Sequence, residues 1–340
     1  MEATTRGRAG TKALVGIGMV VGVALIAVLS VTVAGLGHTR AGTITVASTS
    51  SCTVGDSPYF DAYDPINQEI YVPNFASADL SVVKGCTVVA TVSFPNSAAE
   101  PYAAAFDPTN NHIYVTDEFL NVVYVISDTK LINTIKSPLF NDPLGILYDP
   151  GDGVMAIANA ASNDVVFLAN NSHVIGTNSV GDSPESIGYD PFYARILVTN
   201  WASDNVTSIN AVYPFTQTQN INIPVGTGPS EIAFDFQTQM DYVTNEISNN
   251  VTAFGGIDAT GHYSINVSAE PAGIVWDQSK LSLYVVNEYF SNVTVIKGTA
   301  VVQTIPGPSG VAFVGVAYDD ATDKVYATAA NSPGLVYIYS

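Results

Sequence analysis

Positive charge is scarce in this chain. Only 11 of its 340 residues are Lys or Arg, against 30 Asp or Glu, for a formal net charge of −19. Arg6, Arg8 and Lys12, with the single acid Glu2, precede the first apolar run, so the remainder is more acidic still. Such a surface repels phosphate backbones and anionic headgroups, which excludes nucleic acid and leaves cations or basic partners. Histidine is also rare: His38, His112, His173 and His262 are the only four, and their scatter along the chain gives no support to a nucleophilic triad. There is no GxSxG elbow, no HExxH helix and no glycine-rich phosphate loop. Apolar residues do not recur at the 3.6-residue spacing of amphipathic helices, which excludes helical arrays. What the chain has in quantity is Gly (27) and Pro (18) within a composition that is 47% hydrophobic. That mixture suits many short strands joined by tight turns.

The longest apolar stretch, from Ala13 to Gly37, carries no formal charge and exceeds the roughly 20 residues that cross a bilayer as a helix. Basic residues precede it and no comparable cluster follows closely, so the positive-inside rule keeps the N-terminus in the cytoplasm. The expected organisation is a basic cytoplasmic segment over 1–12, a transmembrane signal-anchor helix over 13–37, a short tether over 38–42 and an extracellular domain over 43–340. A cleaved secretory signal is the alternative, although its apolar core is normally shorter.

The domain is a repeat. Asp64, Asp107, Asp149, Asp190, Asp235, Asp277 and Asp319 follow one another at spacings of 43, 42, 41, 45, 42 and 42. An aromatic precedes each one: Tyr63, Phe106, Tyr148, Tyr189, Phe234, Trp276 and Tyr318. Ten residues after the Asp stand Asn74, Asp117, Asn159, Asn200, Asn245 and Asn287, with Ala329 the exception. A period near 42 holding four short strands is that of a propeller blade. The Asp and Asn are turn-formers and the aromatics pack blade on blade. The expected fold is therefore all-β, a seven-bladed propeller of four-stranded antiparallel blades preceded by one transmembrane helix. The last unit lacks a strand, and the segment 43–48, with Thr43-Ile44-Thr45-Val46 alternating as a strand does, is expected to close the ring.

The stretches IYVPN, IYVTD, ILVTN, DYVTN and LYVVN resemble the YVTN-type seven-bladed β-propeller repeat, a family frequent among archaeal cell-surface and surface-layer proteins. The resemblance covers Val54 to Ser340 and implies the fold, while propellers serve many functions. Blade 3 departs with AIAN and blade 7 with YATA.

The face carrying the second-to-third strand loops and the blade connections points away from the membrane, and loops from all blades converge there over the channel. One position after the Asn it carries Glu118, Glu246 and Glu288, with Trp201 in blade 4. Glu185 replaces Tyr59 or Tyr102 on an inner strand and breaks the repeat, as does Arg195. These six residues are the candidate binding set, and Glu118, Glu246 and Glu288 are candidate ligands for a hard cation such as Ca²⁺; solvated turn residues are the plainer reading. Cys52 and Cys86, the only cysteines, are a candidate disulfide if exported, though strand order puts them toward opposite faces. Sequons at Asn170, Asn205, Asn250, Asn266 and Asn292 are candidate glycosylation sites.

Two functions compete. The leading expectation is a membrane-anchored surface module, binding or structural, for a protein, glycan or envelope partner. The alternative is a metal-dependent lactonase- or lyase-like propeller enzyme with a carboxylate site at the channel mouth.

Overall fold

The computed structural model describes residues 48–169, 172–212, 220–256 and 260–340. Among the described residues twenty-eight strands form seven four-stranded antiparallel sheets. Each inner strand touches that of the next blade, and the inner strand of blade 1 (Ala62–Asp64) touches that of blade 7 (Phe313–Asp319), so the sheets close into a ring. The chain is an all-β seven-bladed propeller, and no helix occurs among the described residues. The expected membrane helix over 13–37 and its tether over 38–42 lie outside the described residues.

The missing fourth strand of blade 7 comes from the N-terminal side, and its described part is Ser48–Thr53. Ser48–Thr53 pairs with Leu335–Tyr339, setting Cys52 opposite Val336 and Thr53 opposite Leu335. Residues 43–47, where the expectation began this strand, lie outside the described residues. The pairing leaves Cys52 half-buried in an apolar cluster with Val336, Ile338 and Tyr326.

Three recurrent side chains explain why this sequence makes this shape. Each repeat Asp turns its carboxylate back onto the following backbone; Asp190 Oδ1 accepts from the Phe192 and Tyr193 amides at 2.8 and 3.1 Å. Asp64, Asp235, Asp277 and Asp319 do the same, as an Asx-type turn requires. Each Asn at the end of the second strand clasps the next turn: Asn200 Nδ2 donates to Asn205 Oδ1 at 2.7 Å and to Thr207 Oγ1 at 2.9 Å. The threonine before it joins neighbouring blades. Thr199 Oγ1 accepts from the Ser186 amide (2.9 Å) and donates to the Ser230 carbonyl of blade 5 (2.6 Å). Thr116, Thr244 and Thr328 repeat that link in blades 2, 5 and 7. Between blades lie fully buried tyrosines, Tyr71, Tyr114, Tyr242, Tyr284 and Tyr326, each contributing about 2–3 kcal/mol of apolar burial.

Candidate active site

The inner strands carry a ring of seven side chains five residues before each repeat Asp: Tyr59, Tyr102, Leu144, Glu185, Ser230, Ala272 and Val314. Blade order sets Glu185 between Leu144 and Ser230, and the channel is narrow enough for contacts across it. The Tyr102 hydroxyl donates to Glu185 Oε1 at 3.2 Å, and Ser230 Oγ donates to the same oxygen at 3.4 Å. Tyr59 stacks on Tyr102 with ring centroids 5.0 Å apart, and Phe75 tilts against Tyr59 at 5.3 Å.

Above this ring stand the residues that follow the Asn position. Their backbones are pinned by the blade connections: the amides of Trp201, Glu246 and Glu288 donate to the carbonyls of Ser183, Gly228 and Glu270 at 2.9, 2.9 and 2.8 Å. Those three carbonyl residues are left-handed, with φ of 51°, 66° and 54°. Gly228 is the one where a side chain meets a second obstacle, because a Cβ there runs into Ile247. Trp201 Nε1 donates to Glu246 Oε2 at 3.2 Å.

Glu185 and Glu246 form the chemical centre of this arrangement. Burial, then the neighbouring Glu246 charge, pushes the Glu185 carboxyl up to about 8, while the Tyr102 and Ser230 hydrogen bonds pull the other way. Glu246 is also raised, by burial first, with hydrogen bonds from Trp201 and Ser230 opposing it. Ser230 is buried and its Oγ donates to Glu185, whose carboxyl in turn feels the Glu246 charge. Glu118 is pushed up to about 7 by burial and by Asp142, Glu100 and Asp117, and Glu288 is raised by burial, Glu246 and Glu270. All four glutamates act on the Tyr59 hydroxyl, whose ionisation they and burial disfavour. Below the ring, Glu231 accepts from the Ile274 amide at 2.6 Å and is held well above the ordinary carboxylate range by burial. Asp61 lies deeper, toward a cavity of about 460 Å³ that opens among the Asp turns on the other face. Burial pushes its carboxyl up to about 8.

The structure thus places Glu118, Glu185, Trp201, Glu246 and Glu288 around one mouth of the channel, where Tyr102 and Ser230 bond Glu185 and Trp201 bonds Glu246. Arg195 does not belong with them. It is buried at the opposite end of blade 4, beside Asp190 in the strand pairing, with Nε donating to Ser208 Oγ and Nη2 to the Ser208 carbonyl, both at 2.8 Å. A residue five positions after the repeat Asp starts the second strand, one strand length from the mouth. Among the described residues no three of His, Cys, Asp and Glu are placed to hold one ion together: Glu246 and Glu288 come from the neighbouring blades 5 and 6, Glu118 from blade 2.

Asn205, Asn250 and Asn292 are the acceptors of the turn clasp, each taking a hydrogen bond from the Asn five residues earlier, and Asn266 is exposed at a strand end. Asn170 lies outside the described residues. Ser230 and Tyr102 are the participants that reading by motif missed or underrated. Lining up the position five before each Asp exposes them, since a Ser, a Glu and two Tyr interrupt an otherwise apolar or small ring.

No protein-family model matches the chain, and no curated protein matches it in sequence. Solved structures do match in shape. One is a catalytically inactive histidine-to-alanine variant of virginiamycin B lyase from Staphylococcus aureus with quinupristin (TM-score 0.74, 11% identity, covering 86% of this chain and 98% of that one). Another is the selenomethionine-substituted form of that lyase (TM-score 0.75, 11% identity, 87% and 99%). A third is a streptogramin B lyase (TM-score 0.73, 12% identity, 86% and 97%). At such identities the likeness is one of fold. The matched propellers are lyases, and on that finding the leading expectation of a binding or structural surface module is set aside; what the likeness shows of this chain is its fold.

Proposed function

We propose that this propeller is a lyase-like enzyme whose chemistry is carried by the Glu185–Glu246 pair at the channel mouth. The observation behind it is a pair of neighbouring, partly buried carboxyls, Glu185 and Glu246, the first held by the Tyr102 and Ser230 hydroxyls at 3.2 and 3.4 Å and pushed up by burial and the Glu246 charge to about 8. Two carboxyls whose surroundings press them to share protons are suited to paired acid and base work. In an elimination, Glu246 takes a proton from the carbon beside a substrate carbonyl and the electron pair forms the new double bond. The bond from the adjacent carbon to its oxygen leaving group breaks, and Glu185 delivers its proton to that oxygen. Tyr102 and Ser230 hold Glu185, and Trp201 holds Glu246. The reading relies on the chain's own carboxyls; Glu118, Glu246 and Glu288 do not fit a shared metal ion, and no histidine of the described residues lines the mouth.

The test is turnover of quinupristin, virginiamycin B and a panel of simple lactones by the purified chain, followed by mass spectrometry. Ring-opened product that disappears in Glu185→Gln and Glu246→Gln supports the reading. Product formation undiminished in both variants sinks it. We also infer that the 13–37 run anchors the chain with the propeller outside the cytoplasm, on the strength of the basic residues before it, and that its repeats are of the YVTN type.

A further inference from the structure

We infer that Cys52 and Cys86 form an intramolecular disulfide that staples the closing strand of the ring to blade 1. Cys52 belongs to Ser48–Thr53, the strand that completes blade 7, and its thiol points back to the Val336 carbonyl at 3.8 Å. Cys86 is exposed in the two-residue turn between Asp79–Lys84 and Thr87–Ser93, the third and fourth strands of blade 1, where Gly85 takes the left-handed conformation (φ 60°). Strand order set these residues toward opposite faces, but the structure brings their surroundings together: Cys52 packs on the same buried cluster as Val83 and Val88, the pair that flanks the turn carrying Cys86, with Tyr326 in that cluster as well, and both thiols lie within electrostatic reach of the Tyr326 hydroxyl. The reason is strand twist. Successive strands rotate across a blade, so the outer strands no longer run along the channel axis. The outer hairpin of blade 1 then swings against the outer strand of blade 7, and these strands touch.

The staple falls at the one place where the ring is closed by hydrogen bonds between distant parts of the chain. Every other blade is built from consecutive strands, whereas this one depends on a strand 284 residues from its partner, as counted from Cys52 to Val336. A covalent link there opposes loss of the closing strand by restricting the opened chain. Cys86 is open to an external disulfide, and Cys52, half-buried beside it, is the resolving thiol. The chemistry balances with a low-molecular-weight disulfide as oxidant. The Cys86 thiolate attacks one sulfur of the oxidant and expels one thiolate, leaving a mixed disulfide. Cys52 then attacks Cys86 Sγ and expels the second thiolate; the protons lost by the two cysteines end on the two expelled thiols. Such a bond persists outside the reducing cytoplasm, in keeping with the export inferred above but not depending on the proposed catalysis.

The experiment takes the reduced full chain, exposes it to glutathione disulfide, and reads intact mass, free thiols and melting temperature. Expected is a monomer lighter by two hydrogens, with no free thiol and a melting temperature higher by about 5 °C, a rise reversed by dithiothreitol. Cys52→Ala should stop at a stable glutathione adduct on Cys86, and Cys86→Ala should keep its one buried thiol and gain no stability. Retention of both thiols, a lasting glutathione adduct on the unsubstituted chain, or disulfide-linked dimers would each overturn the staple.

Discussion

Glu185 shows how one side chain changes meaning between sequence and structure. In the sequence it is a break in a repeat; in the fold it becomes a carboxyl bonded by Tyr102 from across the channel and by Ser230 from the next blade. The break was legible, because comparison among the seven blades needs no structure. Its partners were not, because a contact across a channel has no fixed sequence spacing. Arg195 broke the repeat just as visibly, yet it is a buried scaffold residue bonded to Ser208; height along the blade separates the two cases. Glu185→Gln keeps the size and the hydrogen bonds but abolishes proton donation, so kcat/KM on whichever tested substrate turns over should fall about 100-fold or more. Trp201→Phe keeps the ring and removes the Nε1 donor to Glu246, a hydrogen bond that opposes the burial-driven rise in the Glu246 pKa. The acidic limb of the pH–rate profile, where Glu246 loses its proton and becomes active as the base, should therefore move to higher pH, with a smaller loss of rate than in Glu185→Gln.

At the scale of the element, the Asp and Asn positions were readable because their chemistry is local. Asp190 finds its partners two and three residues on, and Asn200 finds its own five and seven residues on, so period and spacing carry both. The same clasp accounts for the Asn-Val-Thr sequences. In Asn205-Val206-Thr207 both the Asn and the Thr side chains accept from Asn200, and Asn250 with Thr252 and Asn292 with Thr294 do likewise for Asn245 and Asn287. A sequon pattern thus arises from turn chemistry whether or not a glycan is ever added. Asn200→Ala leaves Asn205, Thr207 and the Gly181 amide, which Asn200 Oδ1 also accepts, short of partners. It should cost about 1–3 kcal/mol, read as a lower urea midpoint. Thr199→Val cuts the link to the Ser230 carbonyl and should cost a similar amount. Because Ser230 lies in the site, it should also lower activity more than Asn200→Ala at equal destabilisation.

The whole molecule is a ring of acids as much as a ring of blades. Closure was legible from the incomplete seventh repeat, although not its register, which depends on the pairing of Ser48–Thr53 with Leu335–Tyr339. Burial dominates the raised carboxyls Glu185 and Asp61, each pushed to about 8, and Glu118, pushed to about 7. A carboxyl raised in the folded state stabilises the fold fully below its unfolded value and loses that contribution as pH climbs through its folded value. Melting temperature should therefore fall between about pH 5 and pH 8, and Glu185→Gln should flatten part of that decline. The most direct measurement concerns the Glu185 proton itself: the Glu185 carboxyl carbon followed by NMR through a pH titration of glutamate-labelled chain, assigned with Glu185→Gln and repeated in Glu246→Gln. The account predicts a midpoint near 8 that drops in Glu246→Gln yet stays above 4.5, since burial remains when the neighbouring charge is gone. A midpoint near 4.5 that ignores Glu246 would contradict it.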